Sequence, residues 1–159
     1  MNRYLSNSIL CICALCFVLW LQACTPDEQC RKESIVNMEI TFYNDSTLQK
    51  ASVDSITIYG VGNDSILYNN QKSVSSVALP LQKTKNETQY VFTNGTYTDT
   101  LTIEHTNTDN FISIECGCFV YHNITNVYSQ KTWIDSIAII NPDVTTTNYE
   151  DEHLQIFMR

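Results

Sequence analysis

VNMEITFY, residues 36–43, alternates apolar and polar side chains at every step. Val36, Met38, Ile40 and Phe42 fall on one side of an extended chain, and Asn37, Glu39, Thr41 and Tyr43 on the other. A period of two is the pattern of a strand with one face buried. This segment decides the fold class, because the same alternation recurs downstream.

The next stretch, NDST at 44–47, reads as a turn, and VDSITIYG at 53–60 sets Ile56 and Ile58 on one face. VGND at 61–64 turns the chain into SILYNN at 65–70, and SVALPL at 76–81 aligns Val77, Leu79 and Leu81. TQYVFTNGTYTDTLTIEH at 88–105 has the form of a hairpin, since Asn94-Gly95 supplies the positive φ that a tight turn needs. FISIECGCFVYH at 111–122 reads as the longest strand, and TWIDSIAII at 132–140 and HLQIFM at 153–158 complete the set. No convincing helix, glycine-rich phosphate loop or repeat interrupts this series. The expectation is an all-β chain: a single β-sandwich over residues 35–159, immunoglobulin-like or transthyretin-like, with about seven to nine strands. Nine tyrosines suit a pleated surface.

Upstream, MNRYLSNS carries Arg3, and residues 9–23, ILCICALCFVLWLQA, run almost unbroken apolar. About 15 apolar residues fall short of the ~20 that span a bilayer as a helix. A charged start, an apolar middle and a small residue before a cut describe a secretory signal segment. The order Leu21-Gln22-Ala23-Cys24 resembles the lipobox of bacterial lipoproteins, which implies cleavage before Cys24 and acylation of that cysteine. Residues 1–23 are then a signal peptide and 24–34 a short lipidated stalk. The competing reading is an uncleaved anchor helix. More than one acyl chain makes anchoring stable, at ~0.8 kcal/mol per buried methylene.

The net charge is −8, with no cluster of Lys or Arg. A nucleic-acid partner therefore lacks its electrostatic footprint, and a charge-driven hold on anionic lipid is disfavoured. Thr25, rather than Asp, follows the lipidated position. Asp27-Glu28 resembles the acidic export signal of Bacteroides-type surface lipoproteins, which implies an outer-membrane lipoprotein at the cell surface, with a periplasm-facing domain as the alternative.

Of seven cysteines, Cys11, Cys13 and Cys16 leave with the signal segment, so Cys30, Cys116 and Cys118 accompany Cys24. An oxidising envelope favours disulfides, and three thiols make one bridge and leave one over. Cys116 and Cys118, two apart on one strand, point the same way and diverge, so a bridge from Cys30 to one of them is expected. CGCFVYH also puts Cys116, Cys118 and His122 at even spacing. On one strand face these could hold zinc or copper, or form a Cys-Gly-Cys redox pair. Ile112, Ile114 and Val120 would share that face, which favours plain burial. His105, His122 and His153 are scattered, and no serine sits in a Gly-x-Ser-x-Gly turn. Glu115 and Asp135 are conceivable paired carboxylates, and YEDEH at 149–153 reads as a solvated linker more readily than as a calcium loop.

Five aspartates precede Ser or Thr and then an apolar residue or Thr, in DST at 45, DSI at 54, DSI at 64, DTL at 99 and DSI at 135. The pattern resembles the O-glycosylation acceptor of Bacteroides-type envelope proteins, with Ser46, Ser55, Ser65, Thr100 and Ser136 as acceptors. The same pairs also stabilise turns through side-chain hydrogen bonds.

ITFY, GVGNDSILY, ALPL, DTLTI, FISIECG and WIDSIAIINPDV together resemble an uncharacterised family of small Bacteroides-type lipoproteins. The resemblance implies Cys116 as the partner of Cys30, leaves Cys118 outside the pattern, and brings no known activity. The expectation is an anchored, non-catalytic binding or structural module. It would have no cofactor beyond the lipid on Cys24, and a glycan or an envelope or host protein as partner. Tyr59, Tyr68, Tyr90, Tyr97, Phe119 and Tyr121 are candidates to stack on sugar. The alternative is a thiol-redox or metal-binding protein built on Cys116, Cys118 and His122. An assembly subunit, with HLQIFM as an exchangeable edge strand, is a third possibility.

Overall fold

The alternation at 36–43 becomes β1 (Asn37–Asn44), with Met38, Ile40 and Phe42 fully buried as the pattern requires. A computed structural model describes residues 36–62, 65–114 and 116–159 of the chain. Nine further strands follow: β2 (Val53–Gly60), β3 (Ile66–Val74), β4 (Ser76–Pro80), β5 (Glu87–Thr93), β6 (Thr98–Ser113), β7 (Gly117–Ser129), β8 (Ile134–Ile139), β9 (Asp143–Val144) and β10 (Glu152–Met158). They form a four-stranded sheet in the order β4-β1-β10-β8 and a six-stranded sheet in the order β3-β2-β5-β6-β7-β9. The described residues are all-β, and the two sheets pack together. Among the described residues no helix is long and apolar enough to cross a membrane.

The chain changes sheets where the local chemistry frees the backbone. After β1, the Asn44 side-chain oxygen accepts the Thr47 N–H (2.9 Å), and Leu48 takes a left-handed φ of 56°. Lys50 and Ala51 pair briefly back onto β1 before β2 enters the other sheet. Between β3 and β4 the crossing is short: Ser73 has φ 53°, and the Ser75 carbonyl accepts the Phe42 N–H. The Asn94-Gly95 hairpin forms as expected, with Gly95 at φ 85° and the Asn94 carboxamide oxygen accepting the N–H groups of Thr96 and Tyr97.

The core lies between the sheets. Met38, Ile40, Phe42 and Leu79 of one sheet face Ile56, Ile58, Phe92, Leu101 and Ile103 of the other, all fully buried. Phe42 and Phe92 meet edge to face, with ring centroids 6.5 Å apart, an arrangement aromatic quadrupoles favour.

Three expectations are corrected. Ten strands replace the seven to nine, partly because β9 is only two residues long. FISIECGCFVYH is two strands, with the turn inside ECG. Gly117 takes a φ of 76°, and the Ser113 hydroxyl accepts the Cys116 N–H at 3.1 Å, so the chain reverses while the apolar alternation runs on across the turn. HLQIFM is no edge strand: β10 lies between β1, which it pairs in parallel, and β8.

The registers also define two ends of the sandwich. Asn44, Val53, Asp99, Ile134 and Met158 lie toward the lower end, and Asn37, Gly60, Pro80, Tyr90 and Ile139 toward the upper end.

Candidate functional site

β5 leaves β6 at Glu104, and β9 touches β7 only at His122 and Asn123. Beyond these points 106–113 and 117–121 pair, among the described strands, only with each other, as a two-stranded arm at the upper end. Cys118 sits on this arm opposite Phe111, exposed and free. His122 is four residues further along the same strand and 3 % exposed. At ~3.3 Å per residue the two are about 13 Å apart, too far to share a metal ion. Among the described residues no three His, Cys, Asp or Glu side chains are grouped to hold one.

The expected Cys30–Cys116 bridge has no counterpart among the described residues. No disulfide joins two described residues, and Cys116 and Cys118 are not bonded to each other, because Cys118 is free. Cys116, at the turn, is not a free thiol. Cys30, like Cys24, lies outside the described residues. The single strand expected through Cys116 and Cys118 is broken because the chain turns back at Gly117.

His122 instead belongs to a buried polar cluster that the sequence did not announce. The Asn107 carboxamide nitrogen shares its two N–H donors among the carbonyls of Gln82 (3.1 Å), Lys83 (3.1 Å) and Lys85 (2.7 Å), and its oxygen is left as an acceptor. That oxygen lies 2.8 Å from His105 Nδ1 and 2.7 Å from His122 Nδ1, so both rings carry their proton on Nδ1. His105 Nε2 then accepts the Thr88 hydroxyl at 2.9 Å, while that hydroxyl accepts the Gln82 N–H. The imidazoles meet edge to face at 5.1 Å. His122 Nε2 is buried and has no hydrogen-bond partner among the described residues. Burial, with His105 and Lys83 nearby, pushes the His122 pKa down to about 4, and burial also lowers that of His105. The cluster is a neutral lock that ties the 82–86 connection to the base of the arm.

His153 has a similar structural task. The register of β1 on β10 shifts between Glu39 and Ile40, and the Glu39 N–H that leaves the ladder is accepted by His153 Nδ1 at 3.0 Å. The acidic linker is also engaged: Glu152 accepts the Tyr43 hydroxyl at 3.0 Å and the Gln155 amide at 2.7 Å.

At the lower end Asp99 is fully buried. One carboxylate oxygen accepts the Gln130 N–H at 2.9 Å, and the other accepts those of Thr132 (2.8 Å), Trp133 (3.2 Å) and Ile134 (3.2 Å). Four backbone donors on one carboxylate fix the β7–β8 turn. A groove opens beside it, lined by Asp54, Ser55, Asn94, Tyr97, Trp133 and Arg159. Tyr97 is 53 % exposed, whereas Trp133 is buried. Asp135 holds the Arg159 guanidinium at its Nε (2.6 Å) and a terminal nitrogen (2.5 Å), which fixes a cation at the rim. An exposed ring, a fixed guanidinium and carboxamide and hydroxyl groups are the side chains that stack on and hydrogen-bond a sugar. Of the other aromatic candidates, Tyr90 is buried, Tyr68 and Tyr121 pack on the core, Phe119 is half-buried, and Tyr59 is exposed at the upper end.

The Asp-Ser/Thr sites divide. Ser46, Ser65 and Ser136 are exposed; Ser55 is half-buried and bonds Asn70; Thr100 is half-buried within β6. Asp99 and Asp135 of this pattern have structural partners, so local physics accounts for part of it. Asp99, Asn107 and His105 were not singled out as a site from sequence, since, apart from the Asn107–His105 bond itself, their partners are backbone groups and the Thr88 and His122 side chains, 15 to 35 residues away in the chain.

A family of unknown function, DUF6452, matches the chain over residues 55–158. No curated protein and no solved structure matches it.

Proposed function

The chain belongs to DUF6452, a family of unknown function, so no activity comes to it by inheritance, and we propose from its own residues that it is an envelope lipoprotein anchored through Cys24. In this reading it is a non-catalytic binding module of a Bacteroides-type outer membrane, displayed at the cell surface. Its sandwich, of the broad kind that immunoglobulin-like and transthyretin-like domains use, presents a glycan-binding groove at the lower end.

The observation that carries this reading is the opposition of the two ends. Val36, the first described residue, precedes β1 at the upper end, so a tether at Cys24 joins the domain there. The groove around Tyr97 and Arg159 lies at the other end, which a tethered domain holds away from the bilayer. Exposed Ser46 and Ser136 lie toward that same end and Ser65 toward the upper one, all three accessible as O-glycosylation acceptors.

Two measurements test this. Protease shaving of intact producing cells is expected to clip the wild-type domain, and Cys24→Ala is expected to release it from the membrane fraction. A Cys24→Ala protein that stays in the membrane overturns the anchor, and protection until the outer membrane is opened overturns surface display. A glycan array is expected to give hits that Tyr97→Ala abolishes while the fold is kept. Hits that survive Tyr97→Ala, or an empty array, remove the groove from the proposal.

A further inference from the structure

The two ends differ in a second way. Most of the exposed large apolar side chains lie toward the upper end, where Val61, Ile66, Leu67, Phe111, Ile114 and Ile140 are 42 to 90 % exposed, whereas Leu48 and Tyr97 lie toward the lower. Two of them, Phe111 at 62 % and Ile114 at 90 %, lie at the outermost part of the arm, where no third described strand pairs with it. Large apolar side chains exposed together at a hairpin tip mark a contact surface, because burying them removes apolar area from water.

We infer that the arm is a membrane-contacting finger, whose tip, with Phe111 and Ile114, inserts into the headgroup and acyl boundary of the bilayer that holds the lipid anchor. The inference rests on the anchor reading given above. Cys24 precedes Val36 by 12 residues, which reach at most ~40 Å when fully extended. Val36 lies at the end of the sandwich from which the arm projects. A tether attached at this end lets this end reach the lipid, and the tip is its outermost apolar feature.

The chemistry of the arm selects neutral lipid as the occupant. No Lys or Arg occurs between His105 and His122, while Asp109 is exposed on the arm. Charge attraction to anionic headgroups is therefore absent, and insertion proceeds by removing apolar surface from water. Its extent is accordingly insensitive to salt. An apolar tip alone gives weak partition, so the finger orients a protein that its acyl chains already hold.

The test uses the full acylated protein, purified from the producing cells and reconstituted into phosphatidylcholine vesicles. Ile114→Trp places an indole at a site so exposed that folding is unaffected, and Trp133, buried at the lower end, is the internal reference. With lipids brominated high on the acyl chains, the introduced indole is expected to lose most of its emission, equally at low and high salt, while Trp133 keeps its own. Adding Phe111→Asp is expected to restore the emission without releasing the protein from vesicles. An unquenched indole on vesicle-bound protein overturns the inference and leaves the anchor intact. If that protein also cross-links through Cys118, the tip belongs to a second copy instead. A purified protein whose mass shows no acyl chains and which does not float with the vesicles removes the anchor reading, and this inference with it.

Discussion

Acidification is expected to destabilise the sandwich through His122. A second proton on this ring has to enter at Nε2, which is buried, lacks an acceptor among the described residues, and stands near His105 and Lys83. Its pKa is accordingly pushed down to about 4 in the folded protein, against ~6.5 in an unfolded chain. Between these values the unfolded chain binds a proton that the folded one refuses. Stability is therefore complete above pH ~6.5 and falls as the pH drops toward the folded value. The interval corresponds to about 3 kcal/mol, or a fall in Tm on the order of 10 °C for a domain of this size. Thermal unfolding followed by circular dichroism from about pH 7.5 to about pH 4, in the wild type and in His122→Phe, reads this directly. Phenylalanine keeps the ring volume and the edge contact with His105, and it cannot be protonated. It forfeits the bond to Asn107, at about 1 kcal/mol near neutral pH. The variant should nonetheless lose about 3 kcal/mol less than the wild type across the window, since His105, His153 and the carboxylates titrate in both. Parallel pH curves would refute the assignment of His122 as a buried neutral group.

Three other outcomes follow from single contacts. Asp99→Asn removes the charge from four backbone N–H donors and turns one acceptor into a donor, so it should cost about 2–4 kcal/mol in urea unfolding with an unchanged m-value. Gly117→Ala meets no atom within 4 Å, so the φ of 76° alone should set its cost, at about 1 kcal/mol in the same assay. Cys118 should react with a maleimide in the native protein, and Cys118→Ser should change stability by less than about 0.5 kcal/mol. A large loss on Cys118→Ser would mean that this thiol has a partner.

The alternation of apolar residues determined much of this molecule by itself. Residues 36–43 set the fold class, because with a period of two one face must be buried, and the buried faces of β1, β2 and β4 are those the pattern selects. Asn94-Gly95 announced its hairpin, since few residues other than glycine adopt the conformation that the turn demands. The same rule failed at 111–122. Alternation reports which side of a strand is apolar, and it carries no mark where a single glycine reverses the chain between two apolar runs. Metal-ligand spacing failed there for a related reason: even spacing places Cys118 and His122 on one face but also about 13 Å apart. What only the tertiary structure decided is the pairing of distant polar groups. Asp99 is set against the β7–β8 turn, and Asn107 between two imidazoles and three carbonyls, by strand registers that connect residues far apart in the chain. A buried polar side chain is held by whichever backbone groups the fold brings to it, and a one-dimensional pattern has no term for that meeting.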